Sequence, residues 1–159
     1  MNRPPSLTIL NSSKVKIIIK RLKNQFGIEK IKFLNQYIIL KNNKKKLFLS
    51  TKSEKNYKIN IPKMEKVGLY FGRINKDETI RLSLEGSQII DEFATKNIMQ
   101  LDHNQAENWL KGFDFDIPKV DDGYYILKYK EDVLGCGLIK INKLYNFLPK
   151  NRRLKVLYD

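Results

Sequence analysis

Between residues 140 and 155 the sequence sets six cations, Lys140, Lys143, Lys150, Arg152, Arg153 and Lys155, around Tyr145, Asn146 and Phe147. Ammonium and guanidinium groups at this density suit phosphate oxygens. Aromatic faces between them suit unstacked bases. The same rings could instead fill a β-core, and Tyr145, whose hydroxyl tolerates water, is the better candidate for exposure. Asn146 has two open readings, an amide that reads a base edge or a cap for the turn before Pro149.

This is recognition chemistry, and the rest of the chain offers little for bond making. One cysteine, Cys136, and one histidine, His103, cannot complete the usual zinc ligand sets. They also leave no Ser-His-Asp or Cys-His centre unless His103 serves alone. No catalytic residue, metal or other cofactor is therefore expected. Asp114, Asp116, Asp121 and Asp122 read as a solvated loop. Gly135-Cys136-Gly137 lacks the third glycine of a dinucleotide fingerprint. Cys136 reads as a small buried side chain, Trp109 as core, and His103 as an exposed residue at a helix start.

The charge has a geography. The 159 residues carry +14, with 31 Lys and Arg against 17 Asp and Glu. Residues 1–52 hold 13 cations and one acid, whereas residues 53–139 are net −3 and residues 140–159 net +5. Two basic ends flank a mildly acidic middle, which points to a polyanionic partner. No run approaches the roughly 18 apolar residues that cross a membrane, so a membrane partner is not expected. A lone cysteine implies no disulfide framework and favours a cytoplasmic location.

The elements that must position these groups can be read from punctuation and period. Asn11-Ser12-Ser13 starts a helix and Gly27 stops it, with Val15, Ile18, Ile19, Leu22 and Phe26 on one face. Ile31–Phe33, Tyr37–Leu40 and Leu47–Leu49 read as strands, with a turn at Asn42–Lys45. Pro62 rules out a continuous helix over residues 50–66. Val67–Ile74 and Thr79–Leu84 read as a hairpin, and Glu85–Thr95 as a short helix. A second unit begins at Asn97: strand Ile98–Leu101, a helix capped by Asp102 or Asn104 and stopped by Gly112, a loop over residues 113–122, then strands Tyr124–Tyr129 and Val133–Ile141. Leu154–Leu157 reads as a final strand. The expected class is α+β, in two domains, 1–96 and 97–159, the second a small β-barrel.

Residues 106–153 resemble the PUA-like RNA-binding domain that ends Sun-family rRNA cytosine methyltransferases. The matching residues are Leu110 and Gly112, Gly123 with Tyr125–Tyr129, Leu134-Gly135-Cys136-Gly137, and Asn146, Pro149, Lys150 and Arg153. Val67-Gly68-Leu69-Tyr70-Phe71-Gly72-Arg73-Ile74 and Ile80–Leu84 resemble the pre-PUA domain of the small Nip-type ribosome-biogenesis factors. Cys136 departs from a usually aromatic position, and Asn151-Arg152 stands where the family often has Gly-Leu. The first change removes a stacking side chain and the second adds charge.

The resemblance implies a stand-alone archaeal pre-PUA/PUA protein that binds rRNA or tRNA without catalysis, in ribosome biogenesis or RNA modification. It adds Lys111 and Gly112, and Phe113 beside them, to the expected RNA surface. The alternative is a protein-protein adaptor in the same machinery, using the acidic, aromatic middle.

Overall fold

The computed structural model describes residues 6–29, 32–52 and 68–155, with backbone alone at 32 and 33. Helix α1 spans Ser12–Phe26. Asn11 caps it by accepting the Lys14 backbone N–H at 3.0 Å, and Gly27 ends it at φ 65°, the left-handed turn that glycine adopts without strain. Ile18, Leu22 and Phe26 are its buried stripe.

That stripe lies against an antiparallel sheet of five strands in chain order: β1 Leu7–Ile9, β2 Tyr37–Asn42, β3 Lys46–Thr51, β4 Leu69–Ile74 and β5 Ile80–Leu82. Alternation decides which side chains meet the helix. Ile39, Leu47, Leu49, Phe71, Ile74, Ile80 and Leu82 share its core. Leu7, Leu40 and Phe48 form a smaller cluster, with Ile38 and Tyr70 packed against it. Cross-strand pairing puts Tyr70 beside Phe48 and Arg73 beside Lys46, with a bulge between.

Helix α2, Leu84–Asp91, begins one residue earlier than its spacing indicates. Ser83 is the reason. Its hydroxyl accepts from the Gly86 N–H at 2.9 Å and donates to the Tyr70 carbonyl at 2.6 Å, so the strand ends at Leu82. The helix also ends sooner than expected, at Asp91.

The second sheet has the order β6-β8-β9-β10-β7. Its strands are β6 Ile98–Gln100, β7 Phe115–Asp116, β8 Gly123–Tyr129, β9 Asp132–Lys140 and β10 Lys143–Tyr145. β6 pairs parallel to β8 and the other pairs are antiparallel. The expected closed barrel is corrected here: the sheet is open, with β6 and β7 at its edges. Two- and three-residue edge strands give too little ladder to close a ring.

This sheet serves two cores. Ile126 and Cys136, with Tyr124 and Val133, join the core of the first sheet. Leu127, Ile139 and Leu144, with Tyr125 and Tyr129, join a second core. Helix α3, His103–Lys111, covers that second face with Ala106 and Trp109. Asp102 caps α3 in a reciprocal pair with Gln105, and Gly112 closes it.

Other expectations also shift. Lys32 and Phe33, expected in a strand with Ile31, belong to a 3-10 turn over Lys32–Gln36, in which Leu34 is buried while Asn35 and Gln36 face out; Ile31 lies outside the described residues. β1, β7 and β10 are too short to carry an alternation signal. Leu154 and Lys155 are not in a strand, and the remainder of that expected element lies outside the described residues, as do Val67 and Pro62.

Candidate nucleic-acid interface

The ten residues singled out by sequence fall into three groups. Gly112, Asn146 and Arg153 build a clasp at the end of α3. The Asn146 amide nitrogen donates to the Trp109 carbonyl at 2.8 Å and the Phe113 carbonyl at 3.3 Å. Its oxygen accepts from the Leu148 N–H at 2.8 Å. Of the two open readings, this geometry is the cap. Arg153 donates from Nε to the Leu148 carbonyl at 2.9 Å and lies across Gly112, where any Cβ would overlap it.

Lys111, Lys140, Lys143, Tyr145, Lys150 and Lys155 make up the second group, on the surface. Lys111 pairs with Glu107 at 3.0 Å. Lys143 Nζ stands 5.4 Å from the centre of the Tyr145 ring, so cation and aromatic face are adjacent as expected, and Tyr145 is half-buried. Lys140 and Lys143 are cross-strand partners beneath the Ile141-Asn142 turn. Lys150 and Lys155 are exposed.

Arg152 is the third group and leads to residues the sequence did not flag. It forms an ion pair with Glu85 of α2 and lines a cleft of ≈ 700 Å³. The cleft is also lined by Lys46, Tyr70, Arg73 and Arg81 of the first sheet, and by Phe147. Lys46 pairs with Arg73 across β3 and β4, and Arg73 pairs with Arg81 across β4 and β5. Three cations therefore stand in one row across three strands. Like charges directly opposite one another destabilise a sheet. None of the three makes an ion pair with a carboxylate among the described residues; the pairs there are Arg21–Glu78, Lys111–Glu107, Lys128–Asp91 and Arg152–Glu85.

Aromatic faces hold the row in place. Arg81 stacks on Phe147, its guanidinium carbon 4.3 Å from the ring centre, and Lys46 stands 5.4 Å from the centre of the Tyr70 ring. Phe147 also lies 6.4 Å from Tyr124. Burial pushes the Tyr70 phenol above its ordinary range, while Arg81 and Arg73 pull it back. Phe147 keeps 38% of its surface exposed, so a face or edge is available to a ligand in the cleft.

Gly135 and Trp109 also line the cleft. At Gly135, φ is 137° and an added Cβ would lie 3.3 Å from the Trp109 ring. Trp109 itself is 1% exposed and donates to the Leu134 carbonyl at 2.9 Å, so it is structural. Cys136 borders the cleft, and burial pushes its thiol up to about 12, which keeps it protonated and inert. The acidic loop is also engaged: Asp114 accepts the Asn146 N–H and Asp122 the Ile141 N–H, each at 2.8 Å. His103 follows the Asp102 cap and sits 3.3 Å from the Tyr129 hydroxyl.

The second sheet, its covering helix and the clasp coincide with a known sequence family. Residues 96–154 match the family model described as the Methyltransferase RsmF PUA domain. This part of the chain is thus similar to the PUA-like domain of Sun-family methyltransferases, over a longer stretch than residues 106–153. Comparison with curated proteins gave no match. No helix among the described residues is long and apolar enough to cross a membrane.

Proposed function

We propose that this protein is a non-catalytic RNA-binding protein of the cytoplasm, acting on structured rRNA or tRNA in ribosome biogenesis or RNA modification. The observation that carries the reading is the cation row Lys46–Arg73–Arg81, which lines one cleft together with Phe147 and Arg152. A sheet tolerates such a row at a cost in stability, and a polyanion removes that cost by binding. Arginine beside exposed aromatic surface fits a nucleotide better than a bare phosphate: the guanidinium takes the phosphate and the ring takes the base. The similarity of residues 96–154 to a PUA domain supports the same partner, and the surface cations Lys111, Lys140, Lys143, Lys150 and Lys155 add long-range attraction.

The test is RNA affinity against salt. If Lys46, Arg73, Arg81 and Arg152 each neutralise one phosphate, log K falls against log salt with a slope of about −3, at ~0.7 per contact. Arg81→Gln should make the slope shallower by roughly one contact and weaken binding at low salt. A flat salt response in the unaltered protein would overturn the reading.

A further inference from the structure

The N-terminal charge has a second focus on the other side of the first sheet. A pocket of ≈ 190 Å³ opens between α1 and the β2–β3 turn, lined by Lys14, Ile17, Arg21, Lys41, Lys45 and Glu78 among others. Glu78 pairs with Arg21. Lys14, Lys41 and Lys45 make no ion pair among the described residues.

The turn that carries these lysines is built rather than loose. Asn42 is 6% exposed, and its side-chain oxygen accepts the backbone N–H groups of Lys44 and Lys46 at 3.0 and 2.9 Å. The Lys45 N–H donates to the Asn42 carbonyl, and the Lys45 carbonyl accepts from Ile74 N–H, each at 3.0 Å. Lys45 takes φ 61°, which fixes where the next side chain points. Lys45 then lines this pocket and Lys46 lines the cleft. On β4, Ile74 and Arg73 divide in the same way. Two basic sites on opposite faces of one sheet thus meet at its rim through neighbouring residues.

The chemistry of the two sites differs. The cleft offers arginine and aromatic rings, whereas no aromatic residue lines the pocket among the described residues. Lysine is a point charge that binds phosphate without selecting a base. We infer that this pocket is a second RNA site, which takes the sugar-phosphate backbone of a strand that enters the cleft and passes over the β2–β3 turn. This rests on the RNA reading of the cleft and extends it to a continuous track.

Labelled oligouridylates of 6 and 20 nucleotides separate the two ideas, titrated with the full chain, with a pocket variant (Lys14→Gln, Lys41→Gln and Lys45→Asn) and with a cleft variant (Lys46→Gln, Arg73→Gln and Arg81→Gln). Asparagine suits the left-handed position 45. The pocket variant should bind the 20-mer about tenfold more weakly, with a salt slope shallower by about 2, and the 6-mer unchanged. Lys14→Gln alone, on an exposed helix position, should remove about one third of that slope change. Wild-type binding of the 20-mer by the pocket variant, with both oligomers lost by the cleft variant, overturns the track and leaves the cleft reading standing. Unchanged binding by both variants overturns both. Poly-glutamate is titrated as an acidic-protein probe: its loss by the pocket variant with 20-mer binding intact assigns the pocket to an acidic protein segment and overturns the proposal.

Discussion

The two basic regions of this molecule use their charge differently. The segment from Lys140 to Lys155 is the denser in sequence, yet Arg152 is paired with Glu85 and Arg153 lies across Gly112 to reach the Leu148 carbonyl. The row Lys46–Arg73–Arg81 is dispersed over 36 positions of the chain, yet none of its members meets a carboxylate in an ion pair among the described residues. Charge density along a chain and charge available to a ligand are thus separate quantities. Arg153 in the first region is spent on the clasp at the end of α3 and Arg152 on a tie to α2, whereas the second region lines a cleft without a carboxylate partner among the described residues.

The largest expected effect breaks the clasp side. Trp109→Ala removes a ring that is 1% exposed and packed on Gly135. It should cost about 3–5 kcal/mol in denaturant unfolding. Gly112→Ala should cost about 1–3 kcal/mol, from the left-handed φ of 87° and the overlap with Arg153. Adding Arg153→Ala should give less than the sum of the two single losses, since both act at one contact.

The sheet-face side should respond with the opposite sign. Arg73→Gln relieves two like-charge pairs and should leave stability unchanged or raise it by a few tenths of a kcal/mol, roughly, while weakening RNA. Ile141→Asn serves as a control away from both the clasp and the cleft. This exposed β-branched residue has φ 49°, and asparagine there should raise stability by about 0.5–1 kcal/mol.

The Cys136 thiol adds no pH dependence to stability near neutrality, because it is protonated in both states. Its thiol has a higher pKa folded than unfolded, so the folded state holds its proton longer and stability falls as pH rises from about 9 towards about 12. In Cys136→Ala that alkaline decline should be smaller, leaving the part due to the raised tyrosines Tyr70, Tyr124 and Tyr125. The native thiol should resist a disulfide reagent at pH 8 and react fully once the chain is unfolded.

Much of the architecture is legible from local cues. Asn11, Gly27, Asp102 and Gly112 mark their helix ends because capping is decided within four residues. The Arg73–Arg81 pair was also within reach, since the hairpin around Asn75–Thr79 fixes its register. Lys46 was not, because its partner Arg73 stands 27 positions further along the chain, beyond the reach of a short hairpin signal. Nor could sequence bring Phe147 onto Arg81, a contact made between segments 66 residues apart. Asn146 was seen as chemically special for a sound reason, but which amide role wins depends on where the end of α3 lies.

Under the proposed function, the bare row in the cleft, rather than the denser C-terminal charge, carries RNA affinity. A charge-matched comparison tests it most directly: Lys46→Gln, Arg73→Gln and Arg81→Gln in one protein against Lys140→Gln, Lys150→Gln and Lys155→Gln in another, each titrated with one structured RNA at several salt concentrations. The first protein should bind at least about tenfold more weakly than the second, with a salt slope shallower by about 2 than that of the unaltered chain. Equal losses, or a larger loss in the second protein, would contradict it.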